Sequence, residues 1–195
     1  LDDLPGALWT RDMFDPAPEK GFRGRLRSAP QMARIVVAVD PSGTSGESDD
    51  GDGIGIVVAV VGVDGHACVL ADLSCKLSPA AWGQRAVDAY HEFGAARLVA
   101  ERNFGGAMVK HVIHTADPSV SYKEVTASRG KVVRAEPVAA LYEQGKVSHV
   151  GGFPELEDQM CLMGPDGFVG EGSPDRLDAL VWALTELKLG KKAKT

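Results

Sequence analysis

A chain of 195 residues is long enough for one domain with a substantial core. A composition of 44% apolar and 25% charged residues excludes wholesale disorder, and a net charge of −6 argues against a protein that coats nucleic acid by charge alone. It leaves room for one that handles nucleic acid through bound metal, because carboxylates around the ions lower the count. No apolar run approaches the roughly 18 residues of a membrane span, and no signal-peptide pattern opens the chain. The first residue is Leu1 rather than Met, as expected of a trimmed or excised fragment. Cys68, Cys75 and Cys161 form no CxxC pair and read as buried thiols of a reducing compartment.

Residues 1–30 hold Pro5, Asp15-Pro16-Ala17-Pro18 and the basic run "EKGFRGRLRS" without sustained periodicity, and read as an arm. Regular order begins at "ARIVVAVDPSGT". Ile35 to Val39 are β-branched apart from Ala38 and do not alternate, which predicts a strand over 34–40 buried on both faces. Asp40 ends that strand and Pro41 stops its pairing. In the loop that follows, "GESDDGDG" lacks the ligand spacing of a calcium loop and reads as a solvated turn. "IGIVVAVVGV" and "HACVLADLS" are the second and third strands, joined at Asp64-Gly65. Ser78 at the N-cap and Pro79 at N1 open a helix to about residue 93.

"RLVAE" is a short fourth strand, "NFGGAMVKHVIHTA" a helix after two glycines, and "VSYKEVTA" a fifth strand. "KVVRAEPVAALYEQG" is mostly helix, which Pro137 must start or interrupt and Gly145 ends. "KVSHVG" is a short extended piece and "FPELEDQMCLM" a short helix. "SPDRLDALVWALTELKL" is a strong amphipathic helix with the same Ser-Pro opening, and "GKKAKT" a frayed tail. Three meandering strands followed by alternating α/β units predict an RNase H-like mixed β-sheet with helices on both faces. The same string also fits half of an actin-like ATPase.

Carboxylates mark the candidate site. "RLVAE" repeats the first strand in miniature, an apolar run ending on Glu101. If the first and fourth strands lie side by side, Asp40 and Glu101 meet beyond their carboxyl ends, where ligands of parallel sheets bind. Two such anions repel unless protonated or bridged by a cation, and a hard divalent ion with oxygen ligands is the natural bridge. The last helix supplies a third. Asp178 is embedded among Leu177, Leu180, Val181, Leu184 and Leu187, where burial without a partner would cost several kcal/mol, roughly. Asp175, one turn earlier, can share its face, but it has an ordinary reading as a first-turn anion favoured by the helix dipole.

With these residues stated, "VAVDPSG", "VAERN", "RAEPVAALYEQGKVSHVG" and above all "SPDRLDALVWALTEL" resemble the nuclease domain of the large terminase subunit of tailed bacteriophages. The likeness runs over about 34 to 187. It implies an arm over 1–30, an RNase H-like nuclease domain over 31–190 and a tail over 191–195. It matches Asp40, Glu101 and Asp178 to the catalytic carboxylates, and implies cutting of concatemeric viral double-stranded DNA with two Mg²⁺ or Mn²⁺ ions. Two ions roughly 3.5–4 Å apart would clamp a phosphodiester, one activating water and the other stabilising the leaving 3′ oxygen. Asp40 would bridge them, and Glu101 and Asp178 would each hold one side. Asp175 would be a fourth ligand, or would orient Asp178 or a water. The resemblance also implies an ATPase motor domain, a small terminase subunit and a portal as partners, in the host cell cytoplasm, with no membrane. No GxxxxGK[ST] phosphate loop occurs in the chain, so translocation is not its own activity.

Arg102, Lys110, Arg129, Lys131 and Arg134 are the candidates for tracking a DNA backbone, each with solvated surface as its plainer reading. His66, His91, His111, His114 and His149 show neither HxxxH nor HxH spacing, which argues against zinc; His149 is a weak candidate for substrate contact. Trp82, Tyr90 and Phe93 read as core, and Trp182 as packing. "DPSGT" resembles the phosphate-binding turn of actin-like phosphotransferases, which need a second half that this length does not supply. A non-catalytic docking module and a junction-resolvase-like nuclease are the other readings.

Overall fold

The computed structural model describes residues 3–41, 53–102 and 107–189. Most of "GESDDGDG", the "SGT" of "DPSGT", the glycines before the second helix and the "GKKAKT" tail lie outside them. Strands β1 (Met32–Asp40), β2 (Gly55–Gly62) and β3 (Ala67–Asp72) form an antiparallel meander. Then come α1 (Pro79–Glu92), β4 (Arg97–Glu101), α2 (Ala107–Ala116), β5 (Tyr122–Val125), α3 (Lys131–Glu143) and β6 (Val147–His149). A short helix α4 (Pro154–Cys161), a hairpin of β7 (Met163–Gly164) and β8 (Gly167–Phe168), and α5 (Asp175–Leu184) complete the order. The six-stranded sheet runs β5-β4-β1-β2-β3-β6, with β4 parallel to β1, β5 parallel to β4 and β6 parallel to β3. This is the RNase H-like mixed sheet that the strand order predicts.

β1 is buried on both faces because its alternate residues enter two different cores. Val36 and Ala38, with Val57, Ala59 and Val99, pack under α3, α4 and α5. Ile35, Val37 and Val39, with Ile56, Val58, Leu98 and Ala100, pack under α1 and α2. Successive side chains of a strand point to opposite faces. Asp40 therefore falls on the α5 face with Ala38, and Glu101 on the same face with Val99. Small residues draw α5 onto that face: Ala38 and Ala59 on the sheet, Ala179 and Ala183 on the helix. At Gly55, paired with Asp40, an added Cβ would lie 1.9 Å from the carbonyl oxygen of Asp175. Only glycine lets the first turn of α5 rest on β2 there.

Three local expectations change. Pro137 sits inside α3 without ending it. The carbonyl it leaves without a helical donor belongs to Val133, a residue 44% exposed, so water can satisfy it. The second Ser-Pro does not repeat the first: Ser78 is the N-cap of α1, but Pro174 holds that position in α5, and Ser173 Oγ instead accepts a bond from Lys131 Nζ at 3.2 Å. The helix expected over "FPELEDQMCLM" ends at Cys161, and Met163 pairs with Phe168 in the β7–β8 hairpin.

The segment read as an arm is packed down in part. Trp9 and Phe14 are buried in the core under α3 and α4, and Leu26 bridges to Val150 beside β6. Arg25 holds this union through a bidentate pair with Glu157 and another with Asp15. Glu157 Oε1 accepts from His149 Nδ1 at 2.8 Å, and Tyr142 Oη lies 2.9 Å from His149 Nε2. Burial holds His149 below its usual pKa, so the ring is the neutral Nδ1–H tautomer and Tyr142 donates to Nε2. His149 is 1% exposed, on the edge strand farthest from β4, which removes it as a substrate contact.

Candidate metal-binding active site

The parallel register Val39↔Ala100 carries Asp40 and Glu101 to adjacent positions at the ends of β1 and β4. α5 brings Asp175 and Asp178 against them from above. Asp40, Asp175 and Asp178 are 2%, 6% and 3% exposed. Burial, then the charges of Asp178, Glu101 and Asp175, push the Asp40 pKa well above the ordinary value, against the opposing charge of Lys131. Four carboxylates from three elements thus share one low-dielectric pocket, with Asp40 in their midst.

Two cations from α3 partly answer that charge. Lys131 Nζ bonds Asp178 Oδ2, and Arg134 Nη1 lies 3.5 Å from Glu101 Oε2. Trp182 Nε1 donates to the same Glu101 oxygen at 2.8 Å. α3 can do this because Lys131 and Arg134, three residues apart, share one face of its first turn. A cleft of about 400 Å³ opens beside Asp175, lined by Gly53, Ser74, Lys76, Ser173 and Arg176 among others.

The donor set is carboxylate oxygen alone, the chemistry that suits hard divalent cations such as Mg²⁺ or Mn²⁺. Its charge suits them too, since the carboxylates of Asp178, Glu101 and Asp175 all act on Asp40. The side chains are closed on Lys131 and Arg134 instead: among the described residues, no three of His, Cys, Asp or Glu are gathered tightly enough to hold an ion as they stand. Lys131 holds Asp178 through Oδ2 alone.

The basic candidates divide. Arg102, Lys110 and Arg129 are exposed, and Arg102 has Glu124 at 3.6 Å. The Lys131 side chain is 42% exposed and reaches inward to Asp178. The Arg134 side chain is 13% exposed, turned toward Glu101 and stacked 4.8 Å from the Trp182 ring centroid. Reading the sequence residue by residue missed Lys131 and Trp182 as partners of the carboxylates. The available signal for Trp182 was its place four residues after Asp178, on the same side of α5.

No curated protein sequence matches the chain. Among solved structures, it is similar to the large terminase nuclease of thermophilic phage G20c with bound magnesium, with a TM-score of 0.59 and 15% identity over 80% of this chain and 85% of that one. It is also similar to a mutant nuclease domain of the large terminase subunit of bacterial virus Sf6 with manganese and beta-thujaplicinol, with a TM-score of 0.62 and 14% identity over 91% of this chain and 98% of that one. At such identities the likeness establishes the fold, which is that of the terminase nuclease domains. The family model described as the terminase RNase H-like domain matches residues 37–187, from the middle of β1 to beyond α5, and the chain belongs to that family.

Proposed function

We propose that this chain is a divalent-metal-dependent endonuclease that cuts concatemeric viral double-stranded DNA during genome packaging. One observation carries the reading: Asp40 is buried at the end of a central strand with three other carboxylates around it. Burying neighbouring carboxylates is costly unless cations offset their charge, and a divalent ion does so for several at once. The magnesium and manganese held by the G20c and Sf6 relatives support the same donor chemistry here. Two bound divalent cations would supply an activated water and charge neutralisation at the leaving 3′ oxygen.

The chain's own residues have separate tasks. Asp40, fixed by the sheet, would hold the ions together with Glu101 and Asp178. Asp175 is a further ligand or orients Asp178. Lys131 neutralises Asp178 while the site is closed and turns to the DNA backbone when released. Arg102, Lys110 and Arg129 are exposed to meet phosphates, and because backbone contacts carry no base information, cutting is largely sequence-independent. Arg134 is better placed to hold Glu101 than to meet DNA. In the packaging machine, the partners are an ATPase motor domain, a small terminase subunit and a portal, in the host cell cytoplasm.

Supercoiled plasmid incubated with the protein across a Mg²⁺ and Mn²⁺ titration tests this. Nicked and linear products that EDTA suppresses are expected. Plasmid that stays intact at every metal concentration would overturn the reading.

A further inference from the structure

Glu101 differs from its neighbours in how it is held. Asp40 is fixed by the strand, and Asp175 and Asp178 by the first turn of a buried helix. The Glu101 side chain is longer and 19% exposed, with an additional rotatable bond between its carboxylate and the backbone. Something other than the backbone must aim it.

The three tryptophans show what does. Trp9 and Trp82 are fully buried, and among the described residues their indole N–H groups have no hydrogen-bond partner, so these rings serve packing. Trp182 is 8% exposed, and its N–H donates to Glu101 Oε2 at 2.8 Å. The Arg134 guanidinium stacks 4.8 Å from the Trp182 ring centroid and brings Nη1 to 3.5 Å from that same oxygen. Arg134 Nε is itself buried and has no partner among the described residues, so the stack and the carboxylate determine where the guanidinium sits.

We infer that Trp182 is a positioning residue for metal binding: it fixes Glu101 through Oε2, with Arg134 as its support, and leaves Oε1 to ligate. The inference rests on the metal-dependent nuclease reading and extends it to a side chain that touches neither metal nor DNA. α5 then serves the site twice, directly through Asp175 and Asp178 and, one turn later, through Trp182 on β4. Partners that orient a metal ligand typically change affinity 10–100-fold when removed.

Trp182→Phe keeps the aromatic packing and removes the donor. Calorimetric titration of Mn²⁺ into both proteins is expected to show about 10–100-fold weaker binding in Trp182→Phe, with the metal-free melting temperature nearly unchanged. The wild-type protein gives a second readout that needs no altered fold. Of its three indole N–H resonances, the Trp182 signal should move as Mg²⁺ is added, while those of Trp9 and Trp82 stay. Equal Mn²⁺ affinity in both proteins, or a Trp182 signal unmoved at saturating Mg²⁺, overturns the inference and leaves the nuclease reading standing. Wild type that binds neither ion overturns both.

Discussion

The two ends of the sheet treat buried carboxylates in opposite ways. Near the start of β1, β4 and β5, Glu186 in the π-turn after α5 (Thr185–Leu189) faces Arg34 at 3.0 Å, Arg97 at 3.5 Å and Lys123 at 2.6 Å. One anion there has three cations. At the far end of β1 and β4, four carboxylates gather, with Lys131 on Asp178 and Arg134 beside Glu101. Burial works to raise both acids. At Glu186 the bonds from Lys123 and Arg34 outweigh it and hold the pKa below its usual value; at Asp40 the neighbouring carboxylates add to it. An over-neutralised carboxylate ties strands to a helix. Around Asp40 the neighbouring carboxylates reinforce burial instead of opposing it, which suits the cation site proposed there.

That contrast breaks most sharply by mutation at each end. Asp40→Asn should cut metal-dependent plasmid cleavage by more than about 100-fold while leaving the metal-free fold as stable as wild type or more so, because it relieves repulsion. A mutant that cuts normally, or that loses stability without metal, would place Asp40 among the structural acids. Within α5, Asp178→Ala should remove nearly all cleavage and Asp175→Ala only part of it. The reverse result would put the ligand one turn earlier.

Glu186→Gln should do the opposite of Asp40→Asn. It should cost about 1–2 kcal/mol, discounted because Arg34, Arg97 and Lys123 are 37%, 39% and 43% exposed, and leave cleavage intact below the melting transition. The pH dependence has a definite sign. A depressed folded pKa contributes stability above the usual 4.5 of a glutamate, and that contribution is lost as pH falls through the lower folded value. The melting-temperature gap between wild type and Glu186→Gln should therefore close on acidification below about pH 4.5; a gap that widens there would refute the ion-pair account.

The smallest effect expected is at Lys131. Lys131→Met removes the cation that Asp178 holds while the site is closed, and should tighten Mn²⁺ binding severalfold, by about 1 kcal/mol. Weaker binding in this variant, measured by calorimetry, would mean that Lys131 helps to build the ion site rather than competing for it.

Much of the sheet was legible because its signals are local. "RIVVAVD" and "RLVAE" declare buried strands that end on acids, and Asp64-Gly65 marks a turn where Gly65 indeed takes φ +82°. The convergence of Asp40 and Glu101 followed from supposing β4 beside β1, which the register bears out. Pairings between side chains distant in sequence were not legible. Nothing in "SRGKVVRA" tells that Lys131 and Arg134 turn inward, because a basic residue on a first helical turn reads the same whether it meets solvent or a buried acid. Trp182 read as packing for the same reason: periodicity assigns the ring to the core but is silent on where its N–H points. The docking of Trp9 and Phe14 needed the surface of α3 and α4, which only the folded chain supplies.

The metal site proposed at Asp40 depends on the charge of that cluster. Calorimetric titration of Mn²⁺ into wild type and Asp40→Asn, side by side, tests it most directly. The account predicts saturable binding to wild type that EDTA reverses, and loss of that binding in Asp40→Asn. Equal binding by the two proteins, or none by either, would contradict it.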